Sequence, residues 1–237
     1  MKILYLGPKS KILEFLQHSN NVTQTEDTIE ATTISSYDWV ISYGYRHILK
    51  KQHIESSKNP IINLHISFLP YNRGADPNYW SWVDNTPKGV TIHAIDEGID
   101  TGDIFIQKEV TFSENETLSS SYNKLKKEIE KLFINNFKNI IKSNILPHTQ
   151  PAGGSLHYVK DFPGVDSWDI KIEDFKMTDL KIIDAVESVR NKNNKNWMDI
   201  LRLAFKYAPE EARPVLAEIN RSDGKISKLL DKLANNG

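Results

Sequence analysis

Three compact apolar runs, Lys2–Leu6, residues 39–43 and residues 60–64, each closing on a glycine or polar turn, leave this chain few ways to bury its backbone. Segments of helical spacing lie between them, the clearest being Ile12, Leu13, Phe15 and Leu16 after Gly7 and Pro8. Short, wholly apolar strands that alternate with helices pair in parallel and are covered on both faces, through right-handed crossovers. The expectation is therefore an α/β chain with a mostly parallel sheet and flanking helices. The first turn lacks a G-x-G-x-x-G fingerprint, so it gives no sign of a dinucleotide. Residues 25–37 are polar and carry no clear period.

Composition narrows the function. Of 237 residues, 30 are Lys or Arg and 31 are Asp or Glu, a formal net charge of -1 that provides no global field for a polyanion. No nucleic-acid partner is expected. The absence of cysteine excludes disulfides, thiolate metal sites and a cysteine nucleophile. The seven histidines, at 18, 47, 53, 65, 93, 148 and 157, form no ligand-like cluster in the sequence, so no metal is expected. Gly7 and Pro8 interrupt the N-terminal run before a signal-peptide core forms, and no later run is long enough for a membrane span, which points to a cytoplasmic protein without a membrane partner.

Beyond residue 110, Leu118, Tyr122, Leu125, Ile129, Leu132, Phe133 and Ile140 keep helical spacing, as expected of a long amphipathic helix that covers the sheet. Residues 147–164 are loop-rich, and residues 168–172 alternate apolar and polar like half of a β-hairpin. Helical patterns follow over 179–190, 197–207, 210–220 and 226–233, with a polar linker at 191–196. Trp197, Ile200, Leu201, Ala204 and Phe205 form an apolar stripe in the second of these. The expected organisation is a catalytic domain over 1–150, a loop and small hairpin over 151–178, and a helical C-terminal extension over 179–237.

The chemistry is concentrated between residues 61 and 107. Asn63 and His65 stand two apart at the end of an apolar strand, so their side chains share one side while Leu64 points to the core. Asp100 follows 35 residues after His65, in the turn Asp100-Thr101-Gly102-Asp103 after the strand at 90–95. An imidazole accepts a proton near neutral pH, a carboxylate beside it supports the charged ring, and an amide can hold a carbonyl oxygen whose charge grows during addition. Taken singly, such residues are more often a structural strand-end pair and a turn aspartate.

Their order carries more information. Asn63-x-His65-x-Ser67 with Leu69-Pro70, then Arg73-Gly74, then Gly89-Val90-Thr91, then Asp100-Thr101-Gly102-Asp103-Ile104 resembles the hallmark of the folate-dependent formyltransferases. The resemblance covers residues 39–137 well and the opening strand–turn–helix more loosely. It implies a Rossmann-like fold and N10-formyltetrahydrofolate as cosubstrate. It further implies a catalytic trio: His65 as general base, Asp100 supporting it and Asn63 stabilising the oxyanion. The folate would lie against the loop with Tyr43, Tyr45, Arg46 and His47 and the segment with Ile95, Gly98 and Ile99. The loop Tyr71, Asn72, Arg73, Gly74, Asp76 and Trp80 looks most like the sugar branch, which implies a nucleotide-linked 4-amino-4,6-dideoxy sugar, dTDP-linked in the first instance, as acceptor. Tyr158 is a further ring available to it.

On this resemblance a homodimer, formed through the 168–172 region, and a place in bacterial surface-polysaccharide synthesis are expected. Methionyl-tRNA or glycinamide ribonucleotide as acceptor, and a folate- or nucleotide-sugar-binding module without catalysis, are the alternatives.

Overall fold

The computed structural model describes residues 1–175, Ile183, Val186 and 195–219, and the chain divides into two compact units, Met1–Phe175 and Lys176–Gly237. The first unit is built on a six-stranded sheet. Its strands are β1 (Lys2–Leu6), β2 (Asn21–Thr25), β3 (Trp39–Ser42), β4 (Ile62–His65), β6 (Gly89–Ala94) and β7 (Ile104–Glu109), in the spatial order β2-β1-β3-β4-β6-β7. The first four run parallel; β6 joins β4 antiparallel and β7 joins β6 antiparallel. The sheet is mostly parallel, as expected, and mixed, with the reversal falling beside β4.

Helices cover both faces. On one, Ile3, Tyr5, Ile41, Ile62, Leu64 and Ile92 pack against α1 (Lys11–Gln17) and α5 (Leu118–Ile141). On the other, Leu4, Leu6, Val40 and Ile61 pack against Ile34 of α2 (Ala31–Ile34) and Ile54 of α3 (Lys51–Glu55). Each fully buried aliphatic side chain contributes about 2 kcal/mol relative to exposure, so alternate residues of the same strands hold both helical layers. Ser10 caps α1 by accepting the Leu13 N–H, and Thr117 with Ser120 forms a capping box on α5.

Residues 25–37, which lack a readable period, contain the end of edge strand β2 and the short α2. Strand β2 is half-buried at best, so its sequence shows no apolar run. In α5 the expected stripe is buried except at Leu132, which is half-buried, and at Tyr122, which stands 43% exposed.

The hairpin expected at 168–172 is not formed. The carbonyls of Trp168 and Ile170 accept the Ser119 and Leu118 N–H groups, so this segment satisfies the free donors at the start of α5. Its alternation reflects Ile170 and Ile172 packing with Tyr79 and Leu118. Ile172 opens the short α6 (Ile172–Phe175). The small sheet of this region instead pairs β5 (Arg73–Gly74) with β8 (Leu156–His157) in parallel. Between β5 and β6 lies α4 (Pro77–Val83).

In the second unit, α7 (Lys195–Tyr207) and α8 (Pro209–Ile219) follow the expected patterns, with the Arg213 guanidinium over the Phe205 ring at 5.9 Å. The linker expected at 191–196 gives way at Lys195 and Asn196, which open α7, and its residues 191–194, like 226–233 and 179–190 apart from helical Ile183 and Val186, fall outside the described residues. No described helix is long and apolar enough to cross a membrane.

Candidate active site

Strand β4 brings Asn63 and His65 to the side of the sheet opposite Leu64, where the loop between β6 and β7 folds back over them. Two left-handed residues shape that approach. Asp100 has φ +51° and Gly74 has φ +84°, and an added Cβ on Gly74 would collide with the His157 carbonyl. Gly102 is as tightly placed, against the Ala94 carbonyl. Gln150 ties this turn down: its Nε2 donates to the carbonyls of Asp100 and Gly102, both at 2.8 Å, while its Oε1 accepts from the Arg73 guanidinium.

The Asp100 carboxylate is the hub. Its Oδ1 accepts from Asn63 Nδ2 at 3.3 Å and lies 3.5 Å from His93 Nε2. Its Oδ2 accepts the Gly74 N–H at 2.9 Å and lies 3.6 Å from His65 Nδ1. Burial alone would push this carboxyl up, but His65, His93 and the Gly74 N–H outweigh it and hold the group well below the usual carboxylate range. The site therefore keeps a fixed negative charge beneath two imidazoles. His65 Nε2 is 3.1 Å from the Asn72 carbonyl. That nitrogen must carry a hydrogen, which leaves Nδ1 of the neutral ring as the proton acceptor, facing Asp100. A proton taken there finds an acceptor already in place.

Two cavities meet at Asn63, Asp100 and Tyr45. The first, about 310 Å³, is lined on its far side by Lys9, Ser10, Tyr122 and Lys126, and also takes in His65 and Gly74. The second, about 240 Å³, runs between the 45–49 loop and the 95–100 segment, with Leu49, Ile95 and Ile99 giving it an apolar wall and His93 at its base. Among the described residues no group of three or more His, Cys, Asp or Glu is placed to hold a metal ion.

The expected folate-facing residues Tyr45, Arg46, His47, Ile95, Gly98 and Ile99 all line the second cavity. Tyr43 lines the first instead, buried, with its hydroxyl pushed well above the usual tyrosine range by desolvation and by Glu130. Of the expected acceptor-facing residues only Gly74 lines a cavity beside the trio. Asn72 is fully buried beneath His65, Arg73 holds Gln150, Asp76 starts α4, and Tyr71 accepts the Ser67 hydroxyl through its carbonyl. That last bond gives Ser67 a loop-capping duty. Trp80 stacks on His157 at 4.0 Å, and His157 is held by Asp84 at 2.7 Å. Tyr158 is exposed, with the Lys160 ammonium over its ring. These residues build the loop rather than the cavity wall.

Sequence reasoning missed Lys9, Ser10, Tyr122, Lys126, Gln150 and His93. His93 is the cross-strand partner of Asn63, a register invisible while β4 was expected to have parallel neighbours. A histidine standing between Ile92 and Ala94 in the strand run 90–95 was the available signal.

Comparison with known proteins matches this geometry to a family. The formyl transferase family model matches residues 6–137. Among solved structures, the formyltransferase PseJ from Anoxybacillus kamchatkensis, in complex with UDP-4,6-dideoxy-4-formamido-L-AltNAc and tetrahydrofolate, is 44% identical with a TM-score of 0.70, covering 74% of this chain and 98% of that one. A 4-N formyltransferase from Francisella tularensis is 25% identical with a TM-score of 0.60, over 68% of this chain and 77% of that one. The methionyl-tRNA formyltransferase of Clostridium beijerinckii is 26% identical over 84% of this chain and 71% of its own length. That of Thermodesulfovibrio yellowstonii is 35% identical over 51% of this chain, but only 39% of its own length is spanned. With residues 6–137 matched by the family model and its fold shared with PseJ, the chain belongs to the formyl transferase family.

Proposed function

We propose that this protein moves a formyl group from N10-formyltetrahydrofolate to the amine of a UDP-linked 4-amino-4,6-dideoxy sugar. The observation that carries the reading is the 44% identity to PseJ over nearly all of that enzyme, whose structure holds a UDP-linked formamido sugar and tetrahydrofolate. It favours UDP over the dTDP expected from the sequence. The two cavities support it as well, since a two-substrate transfer needs two compartments that open on one set of reacting groups.

The second cavity suits a folate head group: Leu49, Ile95 and Ile99 offer apolar contact, and the backbone of the 95–100 segment offers polar edges. When bound there, N10-formyltetrahydrofolate supplies the electrophilic formyl carbon. The first cavity suits the sugar nucleotide, with Lys9 and Lys126 as cations for a diphosphate at the end away from Asp100. The unprotonated amine attacks the formyl carbon, and His65 Nδ1 takes the proton that leaves it. Asp100 steadies the resulting imidazolium, and the Asn63 amide donates to the oxyanion of the tetrahedral intermediate. When the bond from carbon to N10 breaks, His65 returns its proton to the departing nitrogen, so tetrahydrofolate leaves neutral and the base is restored. Release of tetrahydrofolate in the presence of the UDP-aminosugar tests the reading directly. The exposed Tyr158, Val159 and Trp168 supply an apolar surface for the homodimer we propose with it, and a role in surface-polysaccharide synthesis completes the reading.

A further inference from the structure

Glu130 stands on α5 at 6% exposure, and neither of its carboxyl oxygens has a hydrogen bond or ion pair among the described residues. The Tyr5 and Tyr43 hydroxyls lie in its field, but Tyr5 is spent on Ser10 Oγ at 2.7 Å and neither hydroxyl bonds the carboxyl group. A buried carboxyl group is held at a cost unless donors reach it. The donors that can reach Glu130 come through the cavity it lines.

That cavity, about 340 Å³, lies between α1 and α5 and adjoins the first one, sharing Lys9, Ser10 and Lys126 with it. Beyond the shared lysines it adds Lys11, Lys127, Glu14 and Glu130. Four lysines against two glutamates favour a ligand that carries negative charge and oppose a cation held by the two carboxyl groups. Tyr122, Lys126 and Glu130 stand four residues apart along one face of α5, each step about 6 Å along the helix axis. Tyr122 lines only the first cavity, Lys126 lines both, and Glu130 lines only the further one. Read outward from the trio, the face offers a ring, a cation and an acceptor. A sugar nucleotide presents its sugar, its diphosphate and its ribose in the same order. The 2′- and 3′-hydroxyls of a ribose are two neighbouring donors, and one carboxylate has two oxygens to accept them.

We propose that Glu130 holds the ribose of the sugar nucleotide, its oxygens accepting from the 2′- and 3′-hydroxyls, and so distinguishes a ribonucleotide acceptor from a 2′-deoxyribonucleotide one. The inference rests on the formyl-transfer reading above and deepens it: UDP is chosen over dTDP at the nucleotide's own sugar, by a residue about two helical turns from the Tyr122 end of the acceptor cavity.

Calorimetry on the full-length protein, with UDP and 2′-deoxy-UDP as probes, tests the assignment without turnover. The wild type is expected to bind UDP about 10- to 100-fold more tightly than 2′-deoxy-UDP, the worth of one hydrogen bond to a charged group. In Glu130→Ala the ratio is expected to fall to about one, because no acceptor is left for the extra hydroxyl to satisfy. Glu130→Gln, which keeps one acceptor oxygen, should fall between the two. A variant damaged in its fold weakens both probes alike, so the ratio carries the test. Equal binding of the two probes by the wild type, a ratio unchanged in Glu130→Ala, or a wild type that binds neither probe would overturn the proposal. A wild type that formylates a UDP-aminosugar yet binds UDP and 2′-deoxy-UDP equally overturns the role of Glu130 and leaves the reading under Proposed function standing. A wild type that formylates no UDP-aminosugar fails that reading instead, and the ratio of the two probes still decides the role of Glu130.

Discussion

Asn63 and Asp100 are 37 residues apart in sequence and 3.3 Å apart in space, joined by a hydrogen bond from Nδ2 to Oδ1. The bond exists because the loop after β6 doubles back over the face of β4, through a left-handed Asp100 and under the hold of Gln150. It places the buried carboxylate against Asn63, His65 and His93.

Asp100→Asn keeps the shape and removes the charge beneath His65. It is expected to lower kcat about 1,000-fold, within the range for general acid–base groups, with smaller effects on KM. The same variant tests the electrostatics through pH. A carboxyl held below its usual range stabilises the fold in full above the unfolded value of about 4, and that contribution is lost as pH falls from there toward the folded value. Thermal melts of wild type and variant should differ most near neutrality and converge below about pH 4; a gap that widens in acid would contradict the assigned direction.

Gly74 supplies both a positive φ and the N–H that Asp100 accepts. Gly74→Ala is expected to destabilise the protein by about 1–3 kcal/mol, the usual cost of such strain, and to reduce turnover because the carboxylate loses its seat. Chemical denaturation and the formyl-transfer rate, read on the same preparation, check both parts.

The first unit was largely legible in the sequence because its strands are wholly buried: Lys2–Leu6, Trp39–Ser42 and Ile62–His65 are near-continuous apolar runs. Strand β2 escaped because an edge strand buries too little to leave a pattern. The expected trio of Asn63, His65 and Asp100 was brought together by the fold, whereas Lys9, Ser10, Tyr122 and Lys126 carried no signal, since they come from the loop after β1 and from α5 and meet only when the chain folds. The Tyr71–Trp80 loop reads differently in sequence and in space. Its aromatic and polar residues suggested ligand contacts, but several are spent on building the loop, Trp80 on His157 and Arg73 on Gln150.

Lys9 and Lys126 reach the first cavity from two separate elements. Replacing either with Ala is expected to raise KM for the sugar nucleotide about tenfold while leaving KM for the folate unchanged, as for loss of one charge-assisted contact of about 1.4 kcal/mol. Equal effects on both substrates would place the lysines outside the acceptor site.

The proposed homodimer would bury the exposed Tyr158, Val159 and Trp168. Light scattering at micromolar concentration is expected to give twice the 27.2 kDa chain mass, and Trp168→Glu to shift the protein toward monomer. A monomeric wild type rules out the dimer.

The central claim is the transfer itself. Purified protein is supplied with N10-formyltetrahydrofolate and a UDP-linked 4-amino-4,6-dideoxy sugar, and the appearance of tetrahydrofolate is followed spectrophotometrically. Release that depends on the sugar and disappears in His65→Ala is the expected result. No release with UDP- or dTDP-aminosugars, or full release in His65→Ala, would contradict it.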